Sequence, residues 1–248
     1  MNETDMMKGL MLISSLDNCN DTANSRGEVP PPPEKPCPQT AAVIRLPEPG
    51  LLDDKEMSFL ELIELRATIR NFSDKPITLK ELSFMLWCTQ GVKMMNPNGT
   101  TIRNVPSAGA RHALETYLYL GNVEGVEPGI YRFLALGHAL ETITTEPEQT
   151  AKFLAAFKSK AVVDKCAAVF LWVAEYDRMT YKFGQRACRY VFLDAGHVCQ
   201  NLYLAAYTQQ IGTCALGSFN ETEIGEILAL NSDNEFPLYG AAVGKPEL

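Results

Sequence analysis

The sequence lacks the signatures of most ligand chemistries. It holds three histidines in 248 residues. None falls in an H-x-x-x-H or H-E-x-x-H spacing, so a built-in metal site is not expected. No G-x-G-x-x-G follows a strand and no G-x-x-x-x-G-K-[ST] occurs, which argues against a Rossmann dinucleotide and a P-loop nucleotide. There is no G-x-S-x-G elbow, so Ser107, Asp194 and His197 lack the oxyanion motif that an acyl-transfer triad needs. No apolar run approaches the ~18 residues that cross a bilayer. Lys and Arg number 22 against 30 Asp and Glu, a net charge of -8. Without a basic run, nucleic acid is not an expected partner.

Disulfide chemistry is also missing. The seven cysteines are odd in number and contain no C-x-x-C. Cys188 and Cys199 share a helix face but sit ~16 Å apart along it, beyond disulfide reach. Reduced thiols point to a reducing compartment, and a cytoplasmic location is expected. The run MKGLMLISSL (7–16) makes a poor signal peptide, because acidic residues precede it and no A-x-A follows; a start at Met6 or Met7 would improve that reading.

What is present is a large apolar fraction, 46 %, enough for one sizeable core. Residues 1–44 read as a flexible Pro-rich arm, with VPPPPEKPCPQ (29–39) as a polyproline spacer. Deleting residues 1–40 is expected to leave the fold intact. Residues 45–248 read as the folded domain. Ser58 with Glu61 and Thr78 with Glu81 form capping boxes for two helices, FLELIELRATI and LKELSFMLWCTQ. Residues 93–105 read as a polar loop with Asn-Pro-Asn-Gly turn chemistry. LETYLYLGNV, GIYRFLAL, ALETITT, AAVFLWVAEY, TCALGSF and PLYGAAVGK read as strands, with helices at 146–158 and 221–230. The mixed order of strands and helices favours an α+β fold.

The longest helix is expected over 185–210. Tyr190, Asp194, His197 and Asn201 form a polar stripe on it, read as a buried hydrogen-bond network. Past Asn201 it is apolar nearly all round, which suits burial in the fold or in a dimer interface.

The candidate binding residues are scattered. Arg66 and Arg70, with Thr68 between, would share a helix face at i, i+4, an arrangement eased by an anion such as phosphate. PSAGAR (106–111) is a small-residue turn that lets a flat ligand approach. Gly217, after TCAL, lets backbone approach a ring edge. Lys245 offers a further cation.

Taken in order, these blocks resemble the FMN-dependent nitroreductase superfamily, and within it the SagB-type dehydrogenase branch. The matching stretches are LRATIRNFSDKPITLKEL, MLWCTQG, VPSAGARHALETYL, GIYRF, YKFGQRACRYVFLDAGHVCQNLYLAA, IGTCALGSF and PLYGAAVG. The resemblance implies a central antiparallel sheet flanked by helices, a homodimer with the long helix at its interface, and one FMN in each of two sites between the chains. Arg66, Ala67, Thr68 and Arg70 would hold the phosphate, ribityl chain and pyrimidine edge. Pro106, Ser107 and Ala108 would reach the flavin from the partner chain. Ala215, Leu216 and Gly217 would present backbone to the ring, and Lys245 would meet the phosphate. The implied reaction is ping-pong reduction of a nitroaromatic, quinone or similar small acceptor by NADH or NADPH. The resemblance leaves room for azoline oxidation in a modified peptide, and for a flavin store or sensor without turnover. The flavin carries the chemistry, with Tyr190 and His197 the only candidate catalytic side chains. Two departures stand out: no second basic residue follows Lys245, and the Lys-Tyr pair of azoline-oxidising relatives is here Arg189-Tyr190.

Overall fold

The computed structural model describes residues 2–16, 20–50 and 57–247; Cys19 and Leu248 lie outside them. Its strands are β1 (Val43–Arg45), β2 (Val92–Met95), β3 (Thr101–Arg103), β4 (Leu114–Leu120), β5 (Gly129–Leu134), β6 (Ala139–Thr144), β7 (Ala168–Glu175), β8 (Gly212–Leu216) and β9 (Glu235–Gly244). Its helices are α1 (Glu3–Ile13), α2 (Phe59–Leu65), α3 (Leu79–Gln90), α4 (Pro147–Ala155), α5 (Lys160–Val163), α6 (Tyr176–Phe183), α7 (Ala187–Thr208) and α8 (Glu221–Ile227). One seven-stranded sheet runs β1-β6-β5-β4-β7-β9-β8, and each pairing in it is antiparallel. With helices on both faces, this is the expected α+β arrangement.

Alternation along the strands assigns side chains to the two faces. Central β7 is apolar on both: Phe170 and Trp172 point to one, Val169, Leu171 and Val173 to the other. That explains its unbroken hydrophobic run. The first face is covered by α3 and α7 through Leu82, Met85, Leu86, Val191, Val198 and Leu202. The second is covered by α4, α5 and α8 through Phe153, Val162 and Ile224. Both capping boxes form, at Ser58–Glu61 and at Thr78–Glu81.

Several expectations are corrected. The helix expected to run through RATI ends at Leu65, and Arg66 already has extended ψ of 121°. Thr68 bridges Thr213 in parallel, and the Ile69 N–H donates to the Thr213 carbonyl at 3.0 Å. Pairing with the outer edge of β8 replaces another helical turn, so Arg66 and Arg70 do not share a helix face. The expected loop at 93–105 contains the β2–β3 hairpin. Strand β1 and helices α1 and α6 have no counterpart in the sequence reading.

The proline-rich segment differs most from a free arm. The second face carries a charged row at the end that α4 and α8 leave uncovered. Arg132 and Glu141 are cross-strand partners on β5 and β6 and pair at 2.6 Å. Arg132 also meets Glu115 on β4 at 3.4 Å, and Glu115 meets Arg178 on α6 at 2.5 Å. All four side chains are buried. Burial alone would raise the Glu115 carboxyl, but Arg178 and Arg132 hold it below its ordinary range.

Residues 33–36 close this row from outside. Arg132 donates through Nη1 to the Lys35 carbonyl at 2.8 Å and through Nη2 to the Pro36 carbonyl at 3.1 Å. The Lys35 N–H donates to Glu115 Oε1 at 2.8 Å. Arg103 donates through Nη2 to the Pro33 carbonyl at 2.9 Å. A buried charge left without such partners is costly. Deleting residues 1–36 should therefore lower the melting temperature by more than about 10 °C, from four charge-assisted bonds of about 1.5–3 kcal/mol each at ~2–4 °C per kcal/mol. A deletion variant melting with the full chain in calorimetry would show that the strap contributes nothing.

Candidate active site

The candidate residues gather in two places along α7 and one beyond it. The first place is the outer edge of β8, the last strand of the sheet. In an antiparallel strand, alternate residues turn their backbone groups away from the paired neighbour. In β8 the outward residues are Thr213 and Ala215. The Thr213 carbonyl accepts from Ile69, and the Ala215 N–H donates to the Tyr203 hydroxyl at 2.9 Å. That hydroxyl also lies 3.3 Å from Thr68 Oγ1. The Arg66 guanidinium sits 5.5 Å from the centroid of the same ring. Arg66, Thr68 and Ala215 are thus brought together around Tyr203.

Arg70 and Ala67 are exposed at this edge, Leu216 is buried and Gly217 is exposed. Arg70 is close enough to Cys214 to oppose the rise in thiol pKa that burial causes. Neither Arg66 nor Arg70 has an ion-pair partner among the described residues.

Gly212 and Gly217 occupy this edge for different reasons. A Cβ at Gly212 would fall 2.8 Å from Ile69 Cβ, so the RATI segment can approach only a glycine there. A Cβ at Gly217 would meet only Tyr239, at 3.8 Å. The packing of the chain itself does not require glycine at 217. The space beside its N–H, the next outward donor, is left for something else.

The second place lies nearer the start of α7. Ser107 Oγ donates to Asp194 Oδ2 at 2.6 Å, and the Ala108 N–H donates to Oδ1 at 3.1 Å. Burial raises the Asp194 carboxyl, opposed by the Ser107 and Ala108 bonds and by the charge of His197. Asp194 is nine residues before Tyr203, roughly 13 Å along the helix. Pro106, Ser107 and Ala108 therefore stand apart from Arg66 and Ala215 within one protomer.

Lys245 is held elsewhere. Its Nζ pairs with Glu81 Oε1 and donates to the Gln209 carbonyl at 3.3 Å. Its charge is largely compensated by the carboxylate that caps α3.

The expected polar network along α7 is divided among separate partners. Asn201 Nδ2 donates to the Cys88 carbonyl at 3.0 Å, Arg186 Nε donates to the Tyr190 hydroxyl at 2.8 Å, and His197 is exposed. Arg189 of the Arg189-Tyr190 dipeptide turns away to α1, donating to Ser14 Oγ at 2.5 Å. Sequence reasoning missed Tyr203. Within NLYLAAY nothing marks it off from a packed core aromatic; only its hydroxyl contacts do.

The family model described as "Nitroreductase family" matches residues 63–245. This chain belongs to the nitroreductase family, and with it to the FMN-dependent oxidoreductases. A Methanocaldococcus jannaschii protein carrying the nitroreductase name, MJ1384, is 35 % identical over 195 residues, 79 % of this chain and 94 % of the relative. The trifolitoxin-processing protein TfxB of Rhizobium leguminosarum bv. trifolii is 26 % identical over 51 % of this chain and 35 % of its own length. A solved nitroreductase-type structure from Anabaena variabilis superposes with a TM-score of 0.71 at 23 % identity, covering 84 % of this chain and 42 % of that one.

The loop that carries Ser107 has its own titration. His112 is buried with positive φ of 45°, and its Nδ1 has no partner among the described residues. Burial first, then the Arg103 and Arg111 cations, push its pKa down to about 3, against a bond to the Thr101 backbone that raises it. The unfolded chain, at about 6.5, binds the proton first. This group's stabilisation is therefore complete above that value and falls as pH drops toward 3, by up to about 1.4 kcal/mol per pH unit. His112→Asn should flatten the decline of unfolding free energy between pH 6.5 and 5. Equal slopes in denaturant titrations of the two proteins would contradict this.

Proposed function

We propose that this chain works as a homodimeric FMN oxidoreductase that reduces a small acceptor, a nitroaromatic, a quinone or similar, with electrons from NADH or NADPH. The observation that carries it is the outer edge of β8. Two cations without carboxylate partners among the described residues, Arg66 and Arg70, stand beside a strand whose outward groups are used as far as Ala215 and then, among those residues, free at Gly217. These residues suit the group chemically: arginines for a terminal phosphate, backbone N–H and carbonyl for the polar rim of a flat ring, and a glycine the fold does not itself need. When bound, FMN accepts a hydride from the donor and passes electrons to the acceptor.

The chain's own part is to bind and orient. Arg66 would meet the phosphate, Thr68 the ribityl chain and Arg70 the pyrimidine edge, with Leu216–Gly217 backbone toward the ring. A cation beside the pyrimidine edge stabilises negative charge on the reduced ring. No side chain here is needed as an acid or base.

The protein is expected to purify yellow and to release FMN, not FAD, on denaturation. Arg70→Ala should weaken FMN binding ~10–100-fold, as expected for losing a charge-assisted bond, while exposed Lys152→Ala should leave it unchanged. Bleaching of the bound flavin by NADH or NADPH separates an enzyme from a passive flavin store. A colourless protein that takes up no added FMN would sink the proposal.

The homodimer rests on the separation of Ser107–Ala108 from Arg66–Ala215 along α7 within one chain. Exposed Phe192 and Leu193 on the same helix, at 60 % and 58 % relative exposure, add apolar surface for a partner. The predicted site takes Arg70 from one chain and Pro106 from the other. Pro106→Trp probes that loop and leaves the bonds from Ser107 Oγ and the Ala108 N–H to Asp194 in place. Arg70→Ala and Pro106→Trp homodimers should each bind FMN poorly. Refolded together, they should recover up to one good site per mixed dimer. No recovery, with mixed dimers verified by mass, would assign the whole site to one chain.

A second reading, oxidation of azoline rings in a modified peptide in the manner of the SagB-type branch, is favoured by the similarity to TfxB. It predicts that the bound flavin is reduced by an azoline-bearing peptide and re-oxidised by O2. A flavin reduced by nicotinamide and inert to such a peptide removes it.

A further inference from the structure

We propose that Tyr203 is the positioning residue of this site: its hydroxyl sets the distance between the Arg66–Arg70 segment and the outer edge of β8. The inference rests on the FMN reading above and assigns the local geometry that makes it possible.

Tyr203 lies on α7 with 9 % of its surface exposed. A phenylalanine would fill the same apolar space, so the hydroxyl is the informative atom. It joins two segments distant in sequence from each other. The Ala215 N–H donates to it at 2.9 Å, and Thr68 Oγ1 lies 3.3 Å away. The ring also lies under the Arg66 guanidinium, 5.5 Å from its centroid. One side chain therefore touches a cation, a hydroxyl and an edge-strand donor, all from the two blocks that form the site.

The order of hydrogen bonds along the edge explains what this contact does. An exposed strand edge is a row of unpaired groups that neighbouring backbone tends to pair with. The segment from Thr68 to Ile69 does so at Thr213, in parallel. Continued pairing would take up Ala215 next and then Gly217. Tyr203 occupies the Ala215 N–H instead. The chain's own bonding stops there, and Gly217 becomes the first outward donor without a partner among the described residues. Beyond Ile69 the chain leaves this edge, with Phe72 bridging Pro246, and Arg70 is exposed with no ion-pair partner among the described residues. Tyr203 thus keeps the ring edge and the phosphate side of the site apart and both available.

The test compares Tyr203→Phe with Tyr131→Phe in the full-length protein. Tyr131 also loses a buried hydroxyl bond, to the Glu127 carbonyl at 2.6 Å, but on β5, far from the edge in strand order. Three measurements are made: hydrogen exchange of the 212–217 amides without FMN, FMN affinity, and visible circular dichroism at saturating FMN. Tyr203→Phe should speed exchange at Ala215, weaken FMN binding about tenfold, as the loss of one well-placed hydrogen bond predicts, and change the flavin dichroism. Tyr131→Phe should match the wild type in all three.

The inference is overturned if Tyr203→Phe binds FMN with wild-type affinity and spectrum, or if Tyr131→Phe loses as much affinity. Should Tyr203→Phe not fold, Thr68→Val removes the Thr68 half of the contact and should weaken FMN binding and change the flavin dichroism while Ala215 exchange, still protected by the Tyr203 hydroxyl, stays slow; wild-type affinity and dichroism in that variant would overturn the inference. A wild-type protein that binds no FMN overturns the cofactor reading; faster Ala215 exchange in Tyr203→Phe than in that wild type would then place the fault in the cofactor, not in the contact, and equal exchange would overturn both.

Discussion

The fold depends on a row of buried charges at one end of the sheet. Glu141, Arg132, Glu115 and Arg178 alternate in sign across β6, β5, β4 and α6. Each charge is compensated by its neighbours, and removing one would leave the next uncompensated in a dry setting. The row also recruits backbone. Arg132 has more donors than its carboxylates use, and the Lys35 and Pro36 carbonyls take the remainder. Proline suits this role: it offers a carbonyl and no N–H, in an extended conformation that needs little further ordering. A segment whose composition resembles a linker becomes the cover of a sheet face through electrostatics, since few apolar contacts are available to it.

With that face closed, the sheet keeps its outer strand for other use. β8 is paired on one side only, to β9. An open edge invites aggregation unless it is short, covered or blocked. Here three devices act in turn: Ile69 pairs with Thr213, Tyr203 takes Ala215, and the strand ends at Leu216. What remains is a narrow stretch at Gly217 beside two arginines that have no ion-pair partner among the described residues. A place where backbone donors and positive charge converge without satisfying one another suits an anionic, flat, polar-rimmed group.

The long helix α7 ties the two ideas together. It packs on the first face of the sheet through Val191, Val198 and Leu202, and its polar positions reach outward to different segments. Asp194 holds the Ser107 loop and Tyr203 holds the β8 edge. Because the helix is rigid over this span, the two cannot meet on one copy. The site shared between two copies proposed above would bring the two anchor points together across chains, and exposed Phe192 and Leu193 on the same helix are apolar surface that such a partner would cover.

The sequence by itself determined the pattern of elements. Period-two alternation, the apolar run of β7 and two capping boxes are local signals, set by backbone geometry within a few residues, and they placed most strands and helices. It also marked the candidate blocks, since RATIR, PSAGAR and TCALG stand out by residue type. Only the tertiary structure decided what those blocks do to each other. The RATI helix was lost to an edge strand far along the chain, because a long-range bond at Thr213 outweighs the weak preference for one more turn. Lys245 was claimed by Glu81, whose helix-capping role was legible while its second partner was not. The proline arm was drawn in by Arg132, a charge whose burial no local pattern reports. Tyr203 remained hidden for the same reason: a buried aromatic in an apolar helix reads as core, and the worth of its hydroxyl depends on atoms brought to it by the rest of the fold.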